Sequence, residues 1–376
     1  SDLGRTGTGS MFHGRLRNTL VIGEVAVALT LLVGAGLLIN SLLRLNQVRP
    51  GFSTENTLTV QLNLSGNRYF TDDMKPDRIN SFLDTLTERV KRLPSVSEVS
   101  YAQCIPLTAI DNNTGLGIVE RPSPPGENLI AQLRFIGTGY FRALEIPVKS
   151  GRDFTARDNP QSPNVVLVNE EFVRTYLKDE NPIGKHLKLG WGGDDPKEIV
   201  GVVGDVRHRS LSDQARPEMY VPQAQFANAG VSLIVRSQGD PESLIGAIRK
   251  DVRELDPEMP LAEIKTLAAY RNEALAIPRF NTFLLGVFAL IALALALVGL
   301  FGVMSYNVSQ LTQEIGIRMA LGAKATDVLR MVIKQGMILV VIGILIGIGA
   351  AAGLTRLMKG LLFDVSATDP ATFAAI

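Results

Sequence analysis

Three long apolar runs constrain this chain more than any other feature of its sequence. Residues 19–39 contain a single charged residue, Glu24, residues 283–305 contain none, and residues 331–354 contain only Lys334. A helix needs about 20 mostly apolar residues to cross the hydrocarbon core of a bilayer, and such long uncharged runs are rare in soluble proteins. The first run is too long for the apolar region of a signal peptide. The sequence therefore predicts an integral membrane protein with transmembrane helices at 19–43, 281–307 and 331–358.

The spacing of these runs predicts two soluble segments on opposite faces of the membrane. A large segment, 44–280, separates the first two spans, and a short one, 308–330, separates the last two; segments 1–18 and 359–376 flank the spans. The positive-inside rule does not orient the chain, because basic residues near the span ends number seven on one face and six on the other. The net charge of +1 gives no electrostatic case for nucleic-acid binding.

The large segment has the patterning of an α+β domain whose two ends resemble each other. At each end, an alternating strand is followed by an amphipathic helix, a proline and a second strand. The region between them, about 106–228, is rich in Gly, Pro and Asp and has mostly β patterning. We therefore predict α-helical transmembrane spans plus an α+β domain, in which a split strand–helix–strand subdomain carries a mostly β insertion. The strand–helix–strand elements are predicted at 58–64, 77–93 and 96–103, and at 231–237, 242–255 and 259–267.

The sequence of the large segment contains no recognisable catalytic motif. The only Gly-Lys pair, Gly184-Lys185, is followed by His186 and lacks the first glycine of a phosphate-binding P-loop. None of the three histidines has a zinc-binding spacing, and Cys104 is the only cysteine. His208, in the string "DVRHRS", is interpreted as part of a solvated charged loop rather than as a proton carrier. We predict no enzymatic activity, no cofactor and no metal site.

Two features inside the predicted spans carry further hypotheses. Glu24 is an intramembrane carboxylate, which is a functional candidate by default. It lies about one turn inside its apolar run, close enough to reach the interface, and this position favours a structural role. In the third span, glycines four residues apart favour close helix–helix packing. These pairs are Gly343 with Gly347 and Gly349 with Gly353.

The segment between the second and third spans contains "SQLTQEIGIRMALGA", residues 309–323, and predicts a short amphipathic helix. Glu314 and Arg318 have the i,i+4 spacing of a favourable helix ion pair, and Gly322 is placed to end the helix. The apolar residues one turn apart are Ile315 with Met319 and Ile317 with Leu321. Such a helix can lie on the lipid surface or be held by another protein, and periodicity alone does not decide between these alternatives.

The string "EIGIRMALGA" resembles the signature that follows the second span in the MacB/FtsX-like family of ABC transporter permeases. The string "EVAVALTLLVGAGLLINSLLRLNQVRPGF", residues 24–52, resembles the family's first span. The likeness is strongest to large, internally duplicated orphan permeases of bacteria. It implies a bacterial plasma (inner) membrane location, a cytoplasmic short loop that docks on a separate ATPase, and an extracytoplasmic MacB-like core domain. It assigns the coupling role to Glu314, Ile315, Gly316, Ile317, Arg318, Met319, Leu321, Gly322 and Ala323.

The sequence departs from the family pattern in two places. Gln313 stands where the family often has arginine, which weakens the expected coupling contact. A family unit has four spans, but only three are predicted here, and the chain stops at "DPATFAAI", where the fourth would begin. We therefore expect the chain to be the C-terminal half of a longer permease without its last span.

The resemblance implies a permease that acts as a mechanotransmitter, in which a partner ATPase drives movement of the extracytoplasmic domain. The work expected of it is efflux, or the handling of envelope lipids, lipoproteins or peptides. Expected partners are an ABC ATPase subunit, membrane lipid, the remainder of a longer permease chain or a homodimer partner, and a periplasmic adaptor. The alternative function is an FtsX-type regulatory or sensory protein that recruits or controls an envelope partner. A membrane-anchored ectoenzyme is less favoured because the large segment lacks catalytic motifs.

Overall fold

The chain forms two compact units. Residues Val48–Ala274 make one, and the flanking segments Ser1–Gln47 and Leu275–Ile376 make the other, a helical unit. The computed structural model describes residues 7–64, 69, 77–108, 110–121, 129–178, 180–190, 195–226, 230–321, 324–357, 360, 362–366 and 368–376.

Long helices lie at the two ends of the chain and shorter ones lie between them. A π-helical turn, Val173–Leu177, follows the fourth helix directly, and a 3₁₀ turn, Pro241–Leu244, precedes the fifth. The α-helices are α1 (Gly7–Gln47), α2 (Asp77–Lys91), α3 (Tyr140–Ala143), α4 (Glu170–Phe172), α5 (Ile245–Leu255), α6 (Leu267–Ala320), α7 (Ala325–Leu357) and α8 (Pro370–Ala375).

The strands all belong to the Val48–Ala274 unit and join in one hydrogen-bonded sheet. They are β1 (Thr57–Asn63), β2 (Val96–Ala102), β3 (Asn113–Ile118), β4 (Leu129–Ile136), β5 (Val148–Gly151), β6 (Val165–Asn169), β7 (His186–Leu189), β8 (Lys197–Val203), β9 (Glu218–Pro222), β10 (Gly230–Ser237) and β11 (Leu261–Thr266).

The two ends of this unit form one subdomain, as the sequence predicts. β1 pairs antiparallel with both β10 and β11, and β10 pairs with β2, so the sheet mixes strands from both ends of the segment. Helices α2 and α5 bury their apolar faces on this sheet, because each carries apolar residues at helical spacing. The buried core includes Leu58, Val60, Leu62, Ile79, Leu83, Leu86, Leu233, Ile248 and Val252.

The insertion is mostly β, as predicted, and its strands close into a ring. The order β4-β3-β7-β8-β6-β9 returns to β4 through a parallel β4–β9 pairing. A single pair, Ala102 with Ile136, joins β4 to β2 and so links the ring to the split subdomain. Alternate residues point into the ring, where Leu133, Phe135, Met219 and Val221 belong to its apolar core. The closure of the ring is not evident from the strand patterns alone.

The interpretation of His208 as a residue of a solvated loop is wrong. The side chain is only 6% exposed. The loop that carries it is anchored by two buried neighbours, Val206 and Leu211, and by a 2.6 Å hydrogen bond from the Leu107 amide to the His208 carbonyl. Burial of Val206 and Leu211 therefore places His208 inside the domain, although its neighbours in sequence are charged.

In the helical unit, α1, α6 and α7 are each long and apolar enough to cross a membrane. The final segment, predicted as a loop from 359 to 376, instead contains α8. Asp369 caps this helix by accepting a 3.2 Å hydrogen bond from the Thr372 amide, and Phe373 packs on Val33 and Leu37 of α1. The cap and the apolar contact explain why a helix forms there.

Candidate coupling site

The predicted coupling segment is helical as far as Ala320, and this part of it is not a separate helix. It is the last part of α6, which continues without a break from the second span to Ala320. The 54 residues of α6 extend about 81 Å at 1.5 Å per residue, far more than the roughly 30 Å of a hydrocarbon core. The hydroxyls of Ser309 and Thr312 donate 3.0 Å hydrogen bonds to Ser305 and Val308 carbonyls on the preceding turn. These polar residues therefore do not interrupt the helix.

The end of α6 exposes large apolar side chains. Ile317, Met319 and Leu321 are 58%, 51% and 83% exposed, whereas Ile315 is half-buried. We call Ile317, Met319 and Leu321 the apolar tip. Exposed apolar clusters bordered by charge are typical of interaction surfaces. The apolar tip can therefore bind either lipid or a complementary protein groove.

A charged pair borders the apolar tip. Glu314 accepts a hydrogen bond from the guanidinium of Arg318 one turn away, as the spacing predicts, and both side chains are 49% exposed. The Arg318 Nη1 atom also lies 3.3 Å from the Sδ atom of Met331 on α7. Arg318 therefore connects the end of α6 to the first turns of α7.

Helix α6 ends at Ala320 and α7 begins at Ala325. Gly322 and Ala323 lie outside the described residues, and Gly316 lies within α6. At the start of α7, the Asp327 amide donates a 2.9 Å hydrogen bond to the Lys324 carbonyl. Asp327 in the first turn of α7 also complements the helix dipole.

A contact between α1 and α6, which we did not predict from the sequence, also holds α6 in place. The guanidinium carbon of Arg17 on α1 lies 3.8 Å above the ring of Tyr306, and Arg17 Nη2 donates to Asn307 Oδ1 at 3.4 Å. A basic residue before one apolar run and a tyrosine at the end of another are typical of the same membrane interface. That pattern could have identified the pair from the sequence.

Glu24 of α1 packs against α6. Its carboxyl group lies against Gly299 of α6, so close that a Cβ atom at position 299 would fall 2.1 Å from Glu24 Oε2. Oε2 is buried without a hydrogen-bond partner among the described residues. The side chain lines an apolar cleft of about 400 Å³ between α1 and α6, together with Leu20 and Leu295. Gly299 is therefore needed for Glu24 to fit in this position.

The two glycine pairs of the third span have different surroundings. Gly343 and Gly347 lie against α1, where the Thr30 hydroxyl donates 3.3 Å to the Gly347 carbonyl. Gly349 and Gly353 have no side-chain or backbone neighbour within 4 Å of a Cβ position in the described part of the chain. Helix packing at the second pair is therefore not found, because that face of α7 points away from α1.

The described residues include no group of three or more His, Cys, Asp or Glu side chains placed to hold a metal ion. Three membrane-crossing helices and a large folded domain define a multi-pass membrane protein. The family of MacB-like periplasmic core domains matches residues 19–251, and that of FtsX-like permease C-terminal domains matches residues 286–375. The chain belongs to the MacB/FtsX-type family of ABC transporter permeases, and it is an inner-membrane protein whose large domain is extracytoplasmic.

The chain is similar to two curated relatives over much of its length. It is 28% identical over 247 residues to the ABC transporter permease YknZ of Bacillus subtilis (strain 168), covering 62% of this chain and 60% of that protein. It is 26% identical over 288 residues to the macrolide export ATP-binding/permease protein MacB of Aggregatibacter actinomycetemcomitans, covering 72% of this chain and 42% of that protein. The chain thus spans less than two thirds of either relative.

Among solved structures, the chain is similar to the periplasmic region of MacB from Actinobacillus actinomycetemcomitans. The TM-score is 0.40 at 18% identity, covering 61% of this chain and 97% of that one.

Proposed function

We propose that this chain is a mechanotransmitting permease component whose apolar tip is bound by a partner ATPase. ATP-driven movement of the tip is relayed through α6 to the extracytoplasmic domain. The observation that carries the proposal is the single continuous helix that begins directly after β11 and ends at the apolar tip. Pro278, near the start of α6, donates no backbone hydrogen bond. Elsewhere the helix backbone is hydrogen-bonded, so displacement at the tip is transmitted along the helix towards its start.

The chemistry of the tip favours a protein groove over the lipid surface. Ile317 and Leu321 are four residues apart on one face, and the charged pair of Glu314 and Arg318 lies beside them. Helix-in-groove recognition uses apolar anchors at this spacing together with flanking charges that set the orientation. A helix that lies on lipid would instead need a broad apolar face parallel to the membrane, and the tip is the end of a membrane-crossing helix.

We propose that this movement serves export, or the handling of envelope lipids, lipoproteins or peptides. The similarity to a macrolide export protein supports this class of activity. ATP hydrolysis is assigned to a partner subunit or domain. A periplasmic adaptor and a second permease unit, in the same chain or in a second copy, are the further partners of this proposal.

The experiment is capture of the partner ATPase by the full-length protein, purified from its own membranes under mild detergent and analysed by mass spectrometry. Ile317→Asp and Leu321→Asp place a charge in the apolar anchor, and a central anchor of this kind is worth more than about 2 kcal/mol. We expect at least about a tenfold loss of captured ATPase, because 1.4 kcal/mol corresponds to tenfold in affinity.

Thr312→Asp is the matched control. Thr312 is exposed on the same helix, and at 100° per residue it lies about 140° from Ile317 and about 180° from Leu321. This control adds the same charge on the face opposite Ile317 and Leu321. It lies about 10 Å along the helix axis from Met319 and is expected to retain the ATPase. Equal capture by the wild-type protein and both Asp variants at positions 317 and 321 would contradict the proposal.

A further inference from the structure

A buried polar cluster lies on the outer face of the ring, where β4 and β9 run parallel. Gln132 is the register partner of Glu218, and Arg134 is the partner of Tyr220. Their neighbours in each strand point into the apolar core of the ring, so these four side chains point the opposite way. All four are nevertheless at most 3% exposed. Other parts of the domain must therefore cover them.

Glu218 is the centre of this cluster. The Tyr220 hydroxyl donates a 2.7 Å hydrogen bond to Glu218 Oε2, and His208 Nε2 lies 3.3 Å from the same oxygen. Arg134 Nη2 lies 3.5 Å from Oε1. One carboxyl group thus faces a cation, an imidazole and a phenol inside the protein.

Helix α3 connects the cluster to the split subdomain. The rings of Tyr140 and Phe141 lie 6.3 and 5.1 Å from the ring of Tyr220. On its other side, α3 accepts a 2.6 Å hydrogen bond at the Ala143 carbonyl from Nε of Arg236 on β10. The cluster therefore lies at the joint between the ring and the split subdomain, where the direct strand link is the single pair between β2 and β4.

Partly exposed charged side chains form a rim beside the cluster, and they pair with one another. Arg209 and Arg216 lie 3.6 and 3.5 Å from Asp111, and Arg209 lies 3.8 Å from Asp213. A cavity of about 10 Å³ separates this rim from Glu218, which is room for about one water molecule. The other titratable groups that act on Glu218 or on its partners are Cys104, Tyr140 and Asp205.

Burial controls the protonation of the two central groups. Burial raises the pKa of Glu218 to about 7, although Arg134 and the Tyr220 hydroxyl act to lower it. Burial, with a smaller contribution from Arg134, holds the pKa of His208 well below its usual 6.5. His208 is therefore neutral near neutral pH, and Glu218 is the group that gains or loses a proton. When Glu218 is protonated, its hydroxyl can donate a hydrogen bond to His208 Nε2. When Glu218 is ionised, it can only accept, so His208 Nε2 must carry the hydrogen.

We propose that Glu218 and His208 form a proton-binding site in the joint between the ring and the split subdomain, and that proton release loosens this joint. Release of the proton leaves a carboxylate in a site with little access to water, which disfavours the closed packing. The ligand is a proton from the extracytoplasmic medium. The packing of the extracytoplasmic domain therefore responds to external pH, independently of whether the apolar tip binds an ATPase.

The test is infrared spectroscopy of the full chain in detergent, following the carbonyl stretch of protonated, buried carboxyl groups as the pH is raised from about 5 to about 9. The wild-type protein is expected to lose a band with a midpoint near 7, the pKa of Glu218. The band is expected to be absent in Glu218→Gln and retained in Glu258→Gln, which changes an exposed carboxylate of the same domain.

Tyr220→Phe keeps the ring and removes the hydroxyl, which donates to Glu218 Oε2 and also lies 3.4 Å from His208 Nε2. It tests the site even if Glu218→Gln does not fold. Its band is expected to persist to higher pH than in the wild type. A wild-type spectrum without a band that titrates in this range would overturn the proposal. A midpoint that does not move in Tyr220→Phe would overturn it as well.

Discussion

Gly343 of α7 lies directly against Val25 of α1: a Cβ atom at position 343 would lie 2.8 Å from the Cβ atom of Val25 and 3.1 Å from the Ile22 carbonyl oxygen. Carbon atoms do not approach this closely without strain. The contact therefore depends on glycine, and it determines how closely α1 and α7 pack in the helical unit.

Replacement of Gly343 by alanine is expected to destabilise this packing. Overpacking of a close contact costs about 1–3 kcal/mol, so the midpoint of thermal unfolding of the full chain in detergent should fall. Gly349→Ala makes the same change on the same helix, at a position with open space. Alanine should be neutral or slightly stabilising there, because it is about 1 kcal/mol better than glycine in a helix. Equal midpoints for the two variants would contradict the packing argument.

Variants of the charged pair beside the apolar tip can distinguish an effect on helix stability from an effect on partner binding. Arg318→Glu replaces the pair with Glu314 by two like charges and should cost the helix about 0.5–1 kcal/mol, because the lost attraction and the new repulsion are each small between half-exposed side chains. If the partner recognises these charges, capture of the ATPase should fall far more than folding does. The double exchange Glu314→Arg with Arg318→Glu restores a pair within the helix but presents the charges reversed. We expect it to regain helicity and not to regain the ATPase, and recovery of both would show that the charges serve only the helix.

Gly51 is expected to be essential for folding of the extracytoplasmic domain. Its φ of +88° lies in the left-handed region, and a Cβ atom there would lie 1.9 Å from the Asp205 carbonyl oxygen. Gly51→Ala should therefore lower the free energy of unfolding by at least about 3 kcal/mol, through backbone strain and a clash with an atom that cannot rotate away. Gly239→Ala, at a turn with nothing within 4 Å, is the control and should unfold like the wild type. Denaturant unfolding of the two variants followed side by side checks the difference.

The proton site predicts that the joint is less stable at alkaline pH. The folded-state pKa of Glu218, about 7, lies above its ordinary value of 4.5, so the stabilisation is present at low pH and is lost as the pH rises through about 7. Cys104 is the only cysteine and is buried beside Arg134 of the cluster, so its alkylation rate reports opening of the joint. The ratio of the alkylation rates of wild type and Glu218→Gln should rise between about pH 5 and about pH 7 and then level off.

The direction of this ratio is informative because the direct electrostatic effect has the opposite sign. Burial raises the pKa of the Cys104 thiol, and ionised Glu218 raises it further, which alone would slow alkylation of the wild-type protein. A ratio that falls or stays constant with pH would therefore contradict opening of the joint.

The sequence by itself determined the membrane class, the three spans, the strand–helix–strand elements at both ends of the large domain and the helical state of the segment after the second span. These features depend on the periodicity of apolar residues and on the length of apolar runs. Both are determined by residues that are close together in the sequence. The pairing of Glu314 with Arg318 is equally local, since residues four apart always share a helix face.

Only the tertiary structure decided which of two identical glycine spacings meets another helix. Gly343 and Gly347 face α1, whereas Gly349 and Gly353 do not, and the difference depends on how α7 is rotated against its neighbour. Only the tertiary structure closed the ring through the β4–β9 pairing and buried His208, a charged-loop residue by sequence, beside Glu218. Burial depends on residues far apart in the chain that come together. The apolar residues Val206 and Leu211 near His208 anchor its loop, but they do not by themselves predict that His208 lies beside Glu218.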